Sequence, residues 1–292
     1  MTEQNTRLGI ILMICATFIF AMQDGLSRHL ADTYDVRMVV MVRYWFFAAF
    51  VIFMAKHRGG SVRKVASSKV LGLQIFRGVL LVAEICMTIV AFVRLGLVEA
   101  HAIFACYPLL IVAFSGPVLG EKVGWKRWSA IAVGFLGVLV ILQPGYGVFT
   151  PDMLWALIAA VMFAVYGILT RYVARHDRPS TSFFWTGVSG AIAMTAVGIW
   201  YWEPMSTFDW FLMATLCVSA ASGHYILIKV YDVAEASAVQ PFAYLQLPFA
   251  SSIGVLVFHD TLRINVVVGA IIVVSAGLFT FFRERKKKLA AA

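Results

Sequence analysis

One hydrophobic pattern recurs about ten times along this chain of 292 residues, and the copies fall into two related halves. Residues 20–28 (FAMQDGLSR) reappear as residues 163–171 (FAVYGILTR), and residues 98–103 (VEAHAI) reappear as residues 234–239 (AEASAV). A half that crosses a bilayer five times ends on the opposite side, so the second half would be upside down relative to the first. Secondary transporters are built from such inverted repeats, with a substrate site near the midplane. The repeat therefore predicts a carrier.

The apolar stretches predict an all-α integral membrane protein of ten transmembrane helices, arranged as two inverted five-helix repeats around a central cavity. Hydrophobic residues make up 61% and charged residues 13% of the chain, whereas soluble proteins carry about 25% charged residues. A spanning helix needs about 20 apolar residues. Because the runs are apolar throughout and do not alternate, they predict helices and not a barrel. The stretches are residues 8–30, 38–55, 70–93, 100–119, 125–142, 153–173, 182–201, 210–228, 236–258 and 264–282.

The two repeats are predicted to cover residues 1–145 and 146–292, which leaves only short loops and no soluble module. The first stretch is predicted to be a retained helix and not a signal peptide, because it continues past Gln23 and Asp24 without a cleavage site. All four cysteines fall inside apolar stretches, without the spacing of a disulfide framework or a metal site. No cofactor and no metal is expected.

The distribution of basic residues predicts the orientation in the membrane. With the N-terminus in the cytoplasm, 18 of the 24 lysines and arginines fall on the cytoplasmic side, and only Arg28, Arg37, Arg94 and Arg263 fall on the other. This bias predicts cytoplasmic N- and C-termini in the inner (plasma) membrane. It also accounts for the net charge of +9 without a nucleic-acid partner. We expect a monomer, because ten helices can enclose a cavity unaided.

Four charged residues lie inside apolar stretches and away from their ends, where a charge costs at least about 2.5–3.5 kcal/mol. Asp24 either pairs with Arg28 four residues on or takes part in binding or proton coupling. An ion pair between helices is favoured over substrate contact for Arg43 and Arg77. Glu84, near the middle of its stretch, is the best candidate for a protonatable carboxylate, unless it only neutralises one of the two arginines.

A larger set of polar and aromatic residues at membrane depth predicts one pocket with aromatic walls and amide donors. Each residue alone suits packing as well as binding, but the set suits an aromatic or amphipathic solute. The glutamine Gln246 has the same predicted depth. The candidate substrate-binding residues are Gln23, Asp24, Arg77, Glu84, His101, Tyr107, Trp155, Tyr166, Trp185, His224, Tyr225, Gln240 and Tyr244.

Prolines inside the fourth and ninth stretches predict bent helices at matched points of the two repeats. Pro108 interrupts the fourth stretch, and Pro241 and Pro248 interrupt the ninth. A proline frees a carbonyl from the helix ladder. Interrupted helices at corresponding positions indicate hinges or a binding site in transporters, although kinks that serve packing alone are the other interpretation.

Several segments of the first half resemble the EamA-domain signature of the drug/metabolite transporter superfamily. They are residues 92–108 (beginning FVRLGLVEA), 119–128 (LGEKVGWKRW), 134–138 (GFLGV) and 143–145 (QPG). The second half matches less well, because Asp260 replaces the usual Glu and His259 the usual Gly. The chain looks most similar to YddG-type exporters of aromatic amino acids. The resemblance implies a basket of ten helices around a central cavity, with both termini in the cytoplasm.

The predicted function is export of amino acids, with aromatic ones favoured, and of related metabolites by alternating access. The chain has no phosphate-binding loop, so transport would be passive or coupled to an ion gradient. The alternative is proton-coupled efflux of lipophilic cationic drugs. A membrane enzyme is not expected, because the intramembrane acids are scattered and no catalytic motif occurs.

Within this site, specific groups are expected to bind the two ends of a zwitterion. Arg77, His101 or an exposed amide would bind the carboxylate, and Glu84, Asp24 or carbonyls freed at the proline bends would bind the ammonium group. Three rings would line the side-chain pocket, namely Trp155, Tyr166 and Trp185.

Overall fold

The chain folds into α-helices joined by short connections. The structure is a computed structural model that describes residues 6–57, 60–120, 124–143, 150–233 and 242–291. Those ranges contain no strand, and a single 3-10 turn, Ile199–Tyr201, extends the ninth helix. The helices are α1 (Thr6–Thr33), α2 (Val36–His57), α3 (Val62–Ala66), α4 (Leu71–Leu95), α5 (Leu97–Phe104), α6 (Tyr107–Leu119), α7 (Trp125–Leu142), α8 (Met153–Val173), α9 (Pro179–Gly198), α10 (Thr207–Val233), α11 (Gln246–Phe258) and α12 (Ile264–Ala291).

Length and apolar composition suit most of these helices to a bilayer. Seven segments of the described chain are long and apolar enough to cross a membrane, and one of them, Leu97–Leu119, comprises α5 and α6 together. Three further apolar helical segments are shorter, namely Trp128–Leu142, Gln246–Phe258 and Ile264–Phe279. The all-α membrane architecture is as predicted, whereas the count of ten crossings in inverted repeats stays a prediction. The predicted boundary at residues 145 and 146 lies outside the described residues.

The helices that carry prolines are interrupted where the sequence predicts it. A turn at Ala105 and Cys106 separates α5 from α6, and Pro108 lies in the first turn of α6. Proline is tolerated there because the N–H that it lacks would have no partner within the helix. In the second half a turn precedes α11, with Pro248 in its first turn. Pro241 lies outside the described residues.

The main helix contacts run between the two halves of the chain. Helix α1 packs against α10, α2 against α9, α4 against α8, and α7 against α12. If each helix is exchanged for its counterpart in the other half (α1 with α8, α2 with α9, α4 with α10, α7 with α12), the same four pairs result. The contacts of α6 with α8 and of α11 with α1 are related in the same way. Each half therefore buries its apolar faces mainly against the other.

One carboxylate joins three elements at the break between α4 and α5. Asp260, between α11 and α12, accepts a hydrogen bond of 2.7 Å from the backbone N–H of Leu97 at the N-terminus of α5, where the helix dipole favours an anion. It also accepts hydrogen bonds of 2.8 Å from Nη1 of Arg28 on α1. Arg28 thus pairs with Asp260 and not with Asp24, the partner that a four-residue spacing allowed.

Gly96 is required at this break for two reasons. Its φ is +85°, and a Cβ would lie 2.7 Å from the Asp260 carboxylate. We therefore expect Gly96→Ala to lower the free energy of unfolding by about 1–3 kcal/mol and to lower the melting temperature of the protein in detergent.

The matched control for this substitution is Gly120→Ala. Gly120 has a φ of +71° in the left-handed helical region, and a Cβ there would meet nothing within 4 Å, so this variant measures the ordinary cost of a non-glycine residue in that region. If Gly96→Ala loses no more stability than Gly120→Ala, neither the contact with Asp260 nor the more extended backbone of Gly96 (φ 85°, ψ 167°) adds to that cost.

Candidate functional site

Two of the predicted site residues meet beside the α5–α6 break. Oδ2 of Asp24 on α1 lies 3.1 Å from Nε2 of His101 on α5 and accepts a hydrogen bond of 2.9 Å from Nε2 of Gln246 on α11. The two charged side chains are 13% and 6% exposed. The His101 ring stacks on Phe92, with centroids 4.8 Å apart and planes within 4°. Through these contacts, polar side chains of α1, α5 and α11 meet in one buried cluster.

The surroundings of His101 decide which of its ring nitrogens faces Asp24. Nδ1 of His101 lies 2.9 Å from the carbonyl oxygen of Leu97, which only accepts, so Nδ1 carries a hydrogen. Nε2 is therefore the ring nitrogen that faces the carboxylate of Asp24.

Arg77 on α4 is 1% exposed and connects three helices. Each of its three nitrogens donates, at 2.5–3.3 Å, to neutral groups on α4, α8 and α9. The five N–H groups of a guanidinium are thereby occupied, so none is left for a ligand. The ion pair predicted for Arg77 is absent within the described residues. The acceptors are the side chains of Gln74, Tyr166, Thr170 and Thr186 and the backbone carbonyl of Ser182.

The Arg77 network continues to Asp177 in the connection between α8 and α9. Gln74, an acceptor for Arg77, donates a hydrogen bond of 2.9 Å to Asp177, and the backbone N–H of Lys69 donates another of 2.9 Å. The Ser68 hydroxyl donates as well. Burial alone would raise the pKa of Asp177, but the hydrogen bonds from Gln74, Ser68 and Lys69 outweigh it and hold the pKa below the ordinary 3.8.

An aromatic cluster lies between the Asp24–His101 pair and Arg77. It consists of Phe104, Tyr107, Phe163 and Tyr166, whose successive ring centroids are 5.2, 4.8 and 5.9 Å apart. Phe104 follows His101 by one turn of α5, and the hydroxyl of Tyr166 accepts from Arg77. Stacked and edge-on rings at these distances are favourable contacts and provide faces for a flat ligand. The candidate residues Tyr107 and Tyr166 are thus linked through Phe163.

Glu84, Arg43 and His224 form a second polar group. Glu84 is 3% exposed, and its Oε1 accepts a hydrogen bond of 2.6 Å from Thr88. The charges of both Asp24 and Arg43 act on Glu84, but neither arginine forms the predicted ion pair with it in the described structure. The charge of Arg43 also acts on His224 on α10. The His224 ring stacks on Phe47, with ring centroids 5.8 Å apart.

The other candidate residues lie elsewhere. Trp155 is 36% exposed on α8, and Trp185 donates a hydrogen bond of 2.9 Å to the carbonyl of Ala66 at the end of α3. Neither forms a ring contact with the aromatic cluster in the described structure. Gln23 is buried, and its Oε1 has no hydrogen-bond partner among the described residues. Tyr225 is half-buried on α10, and the ring of Tyr244 packs against Gly277 of α12. Gln240 lies outside the described residues.

An apolar groove of about 510 Å³ lies away from all of these residues. Its walls are residues of α7 and α12, among them Trp125, Val133, Ile271 and Phe279, each about half exposed or more. Such a surface suits contact with lipid tails and lacks the polar groups that orient a ligand. The groove is therefore not part of the site.

A profile of the EamA-like transporter family matches the chain twice, over residues 7–143 and 150–282. The chain belongs to the EamA-like transporter family. It is therefore a multi-pass membrane transporter and not an enzyme, and the family part of the sequence prediction is confirmed. The two matches together extend over nearly all of the described residues.

Individual relatives share about a quarter of their residues with this EamA-like transporter. The S-adenosylmethionine uptake transporter of Rickettsia prowazekii is 25% identical over 281 residues, covering 95% of this chain and 94% of the relative. The riboflavin transporter of Vibrio cholerae is 26% identical, covering 96% and 94%. A solved crystal structure has the same fold, with a TM-score of 0.64 at 16% identity, covering 96% of this chain and 97% of the other. The names of these relatives do not support the predicted YddG-type exporter or amino-acid export.

Arg77→Lys is expected to destabilise the EamA-like transporter. A lysine has three donors and no planar fork, so at least two buried acceptors would lose their donor, at about 1–3 kcal/mol each. The melting temperature in detergent measures the loss, and Arg37→Lys, at a side chain that is 40% exposed, is the control. An R77K protein with the stability of the wild type but no substrate binding would instead support the predicted role of Arg77 as a ligand for substrate.

Asp177→Asn should reduce stability in a way that depends on pH. Because the folded protein holds the pKa of Asp177 below 3.8, the charged form stabilises the fold above about pH 4, and this contribution is lost as the pH falls through the folded pKa. The melting temperature of D177N should be lower than that of the wild type at pH 7, and the difference should shrink as the pH falls below about 4. A difference that stays constant over this range would contradict the assignment.

Proposed function

We propose that this chain is a secondary transporter, without a cofactor, for small zwitterionic metabolites that carry a flat aromatic ring. Aromatic amino acids and S-adenosylmethionine are the substrates to test. The observation that carries the proposal is the buried contact of Asp24 with His101 and Gln246 next to the aromatic cluster. A carboxylate at membrane depth beside a group of aromatic rings suits a molecule with one cationic end and one flat end.

The names of the two relatives agree with this chemistry in different ways. S-adenosylmethionine has an adenine ring, a cationic sulfonium and an α-amino acid group, and riboflavin has a fused ring system without a carboxylate or an ammonium group. Both offer a flat face for stacking against Tyr107 or Phe163, but only the former has a cation for Asp24. The acidic group thus favours a substrate of the amino-acid type over a neutral flavin.

The proposed architecture is ten crossings in two inverted repeats, with a central cavity, both termini in the cytoplasm and a monomer as the working unit in the inner membrane. Its support is the charge bias of the loops, the two family matches and the helix pairs that are unchanged when the halves are exchanged. Alternating access would then be a movement of one half against the other.

A second candidate function is proton-coupled efflux of lipophilic cations. The buried contact of Asp24 with His101 favours it, because a carboxylate that binds either a proton or a cation couples their movements in opposite directions. Competition by a dicationic dye but not by tryptophan, together with dependence on an imposed pH gradient, would favour this function over the first.

Asp24→Asn should reduce substrate flux. Measured as uptake of labelled tryptophan and S-adenosylmethionine into proteoliposomes, the initial rate should fall about tenfold or more, because a charge-assisted hydrogen bond contributes about 1.5–3 kcal/mol. Asp32→Asn, an exposed acid on the same helix, should keep the rate within about twofold.

The same assay separates the possible failures. Unchanged transport by D24N would remove Asp24 from the site, and a wild-type protein that carries neither substrate would reject the proposed substrate class. Cells that overproduce the protein give the direction: depletion of the substrate inside them indicates the predicted export, and accumulation indicates uptake.

A further inference from the structure

The two buried arginines of the central helices differ in how their guanidinium groups are used. All N–H groups of Arg77 are hydrogen-bonded to α4, α8 and α9. Arg43 on α2 is only 7% exposed, yet it has no hydrogen-bond or ion-pair partner among residues 6–57, 60–120, 124–143, 150–233 and 242–291. A buried guanidinium needs hydrogen-bond partners, and where the protein supplies none, water or a ligand must supply them. Packing alone does not account for Arg43.

The nitrogens of Arg43 remain accessible inside the protein. In the described chain, the side-chain atoms that are both fully enclosed and without a partner belong to Gln23, Ser27 and Glu99. The guanidinium nitrogens of Arg43 are not among them, although they too lack a partner. They therefore border space that a water molecule or a small ligand group can enter.

The neighbouring carboxylates also have unused acceptors. Asp24 uses Oδ2 for both His101 and Gln246, and Glu84 uses Oε1 for Thr88. The remaining oxygens, Oδ1 of Asp24 and Oε2 of Glu84, have no hydrogen bond in the described structure and are not fully enclosed. The charges of Asp24 and Arg43 both act on Glu84, so the three groups lie near one another.

We propose that Arg43 binds the carboxylate of the transported molecule, while Glu84 and Asp24 accept hydrogen bonds from its ammonium group. A guanidinium binds a carboxylate through two parallel hydrogen bonds, and two acids suit a cation. This inference rests on the proposed function and makes it more specific, because it assigns the substrate class as molecules with a free α-amino acid group. Riboflavin lacks that group and would be excluded.

The test compares ligands that differ only in the carboxylate. The pairs are tryptophan with tryptamine, and S-adenosylmethionine with its decarboxylated form, and their binding to the purified full-length protein in lipid nanodiscs is measured. The wild type should prefer the carboxylated member of each pair by about tenfold or more. Arg43→Gln should reduce this preference to within about twofold, and Arg43→Lys should keep part of it.

Two further variants distinguish ligand binding from charge balance. Arg37→Gln removes a cation from the exposed end of the same helix and should keep the preference of the wild type. If Arg43 only neutralises Glu84, the double variant R43Q/E84Q should recover the preference that R43Q loses, which would overturn the inference. A binding loss in R43Q that is equal for both members of each pair would overturn it as well.

An accessibility measurement tests the site without a substrate. In a background in which Cys15, Cys86, Cys106 and Cys217 are replaced by alanine, Arg43→Cys should react with 2-aminoethyl methanethiosulfonate. Met41→Cys, on the same helix and 0% exposed, should not. An R43C protein as unreactive as M41C would overturn this inference and would leave the proposed function unaffected. A wild-type protein that binds none of the four ligands would overturn the proposed function, and the inference with it.

Discussion

The exclusion of water from the membrane-spanning region is the constraint on which this structure depends. A polar group that leaves water must find a partner in the protein or border a wet cavity. The Arg77 network is the fullest response to this constraint, because one guanidinium satisfies acceptors on α4, α8 and α9. It ties the first half of the chain to the second through neutral groups, so no counter-charge has to be buried with it. Helix packing across the halves then brings the remaining polar groups together.

The site follows from where the helices are interrupted. The turn at Ala105 and Cys106 separates His101 on α5 from Tyr107 on α6, and this permits the carboxylate contact and the aromatic cluster to lie next to each other. In a continuous helix, the directions of these side chains would be fixed by a rotation of about 100° per residue. The interruption thus brings the polar and the aromatic side chains of the candidate site together within a few residues of chain.

Much of the fold could be predicted from the sequence, because apolar length and prolines act locally. The helices, the breaks next to Pro108 and Pro248 and the family all follow from such local patterns. The site could be predicted only in part. Depth along a helix made Asp24, His101 and Tyr166 candidates, but the direction of a side chain around the helix depends on the partner in the other half. For this reason Trp155 and Trp185 were expected in the pocket and lie elsewhere.

The same reasoning explains why the two arginines could not be told apart in advance. Arg43 and Arg77 are both single cations in apolar stretches, and four of the five acceptors of Arg77 come from residues about 90 to 110 positions away in the chain. The sequence alone does not show which residues provide these acceptors. The one signal for Arg43 was the presence of a charge inside the apolar stretch that forms α2, which indicates function by default.

The hydrogen bonds of Asp260 have a consequence for the speed of the transport cycle. This carboxylate, from the second half, binds Arg28 and the backbone of Leu97 in the first half. Any rocking that separates the halves at this end must break those bonds before water enters. In the proposed cycle, breaking these bonds would add to the activation enthalpy of opening, so the temperature dependence of turnover would reflect Asp260 as well as the substrate-binding residues.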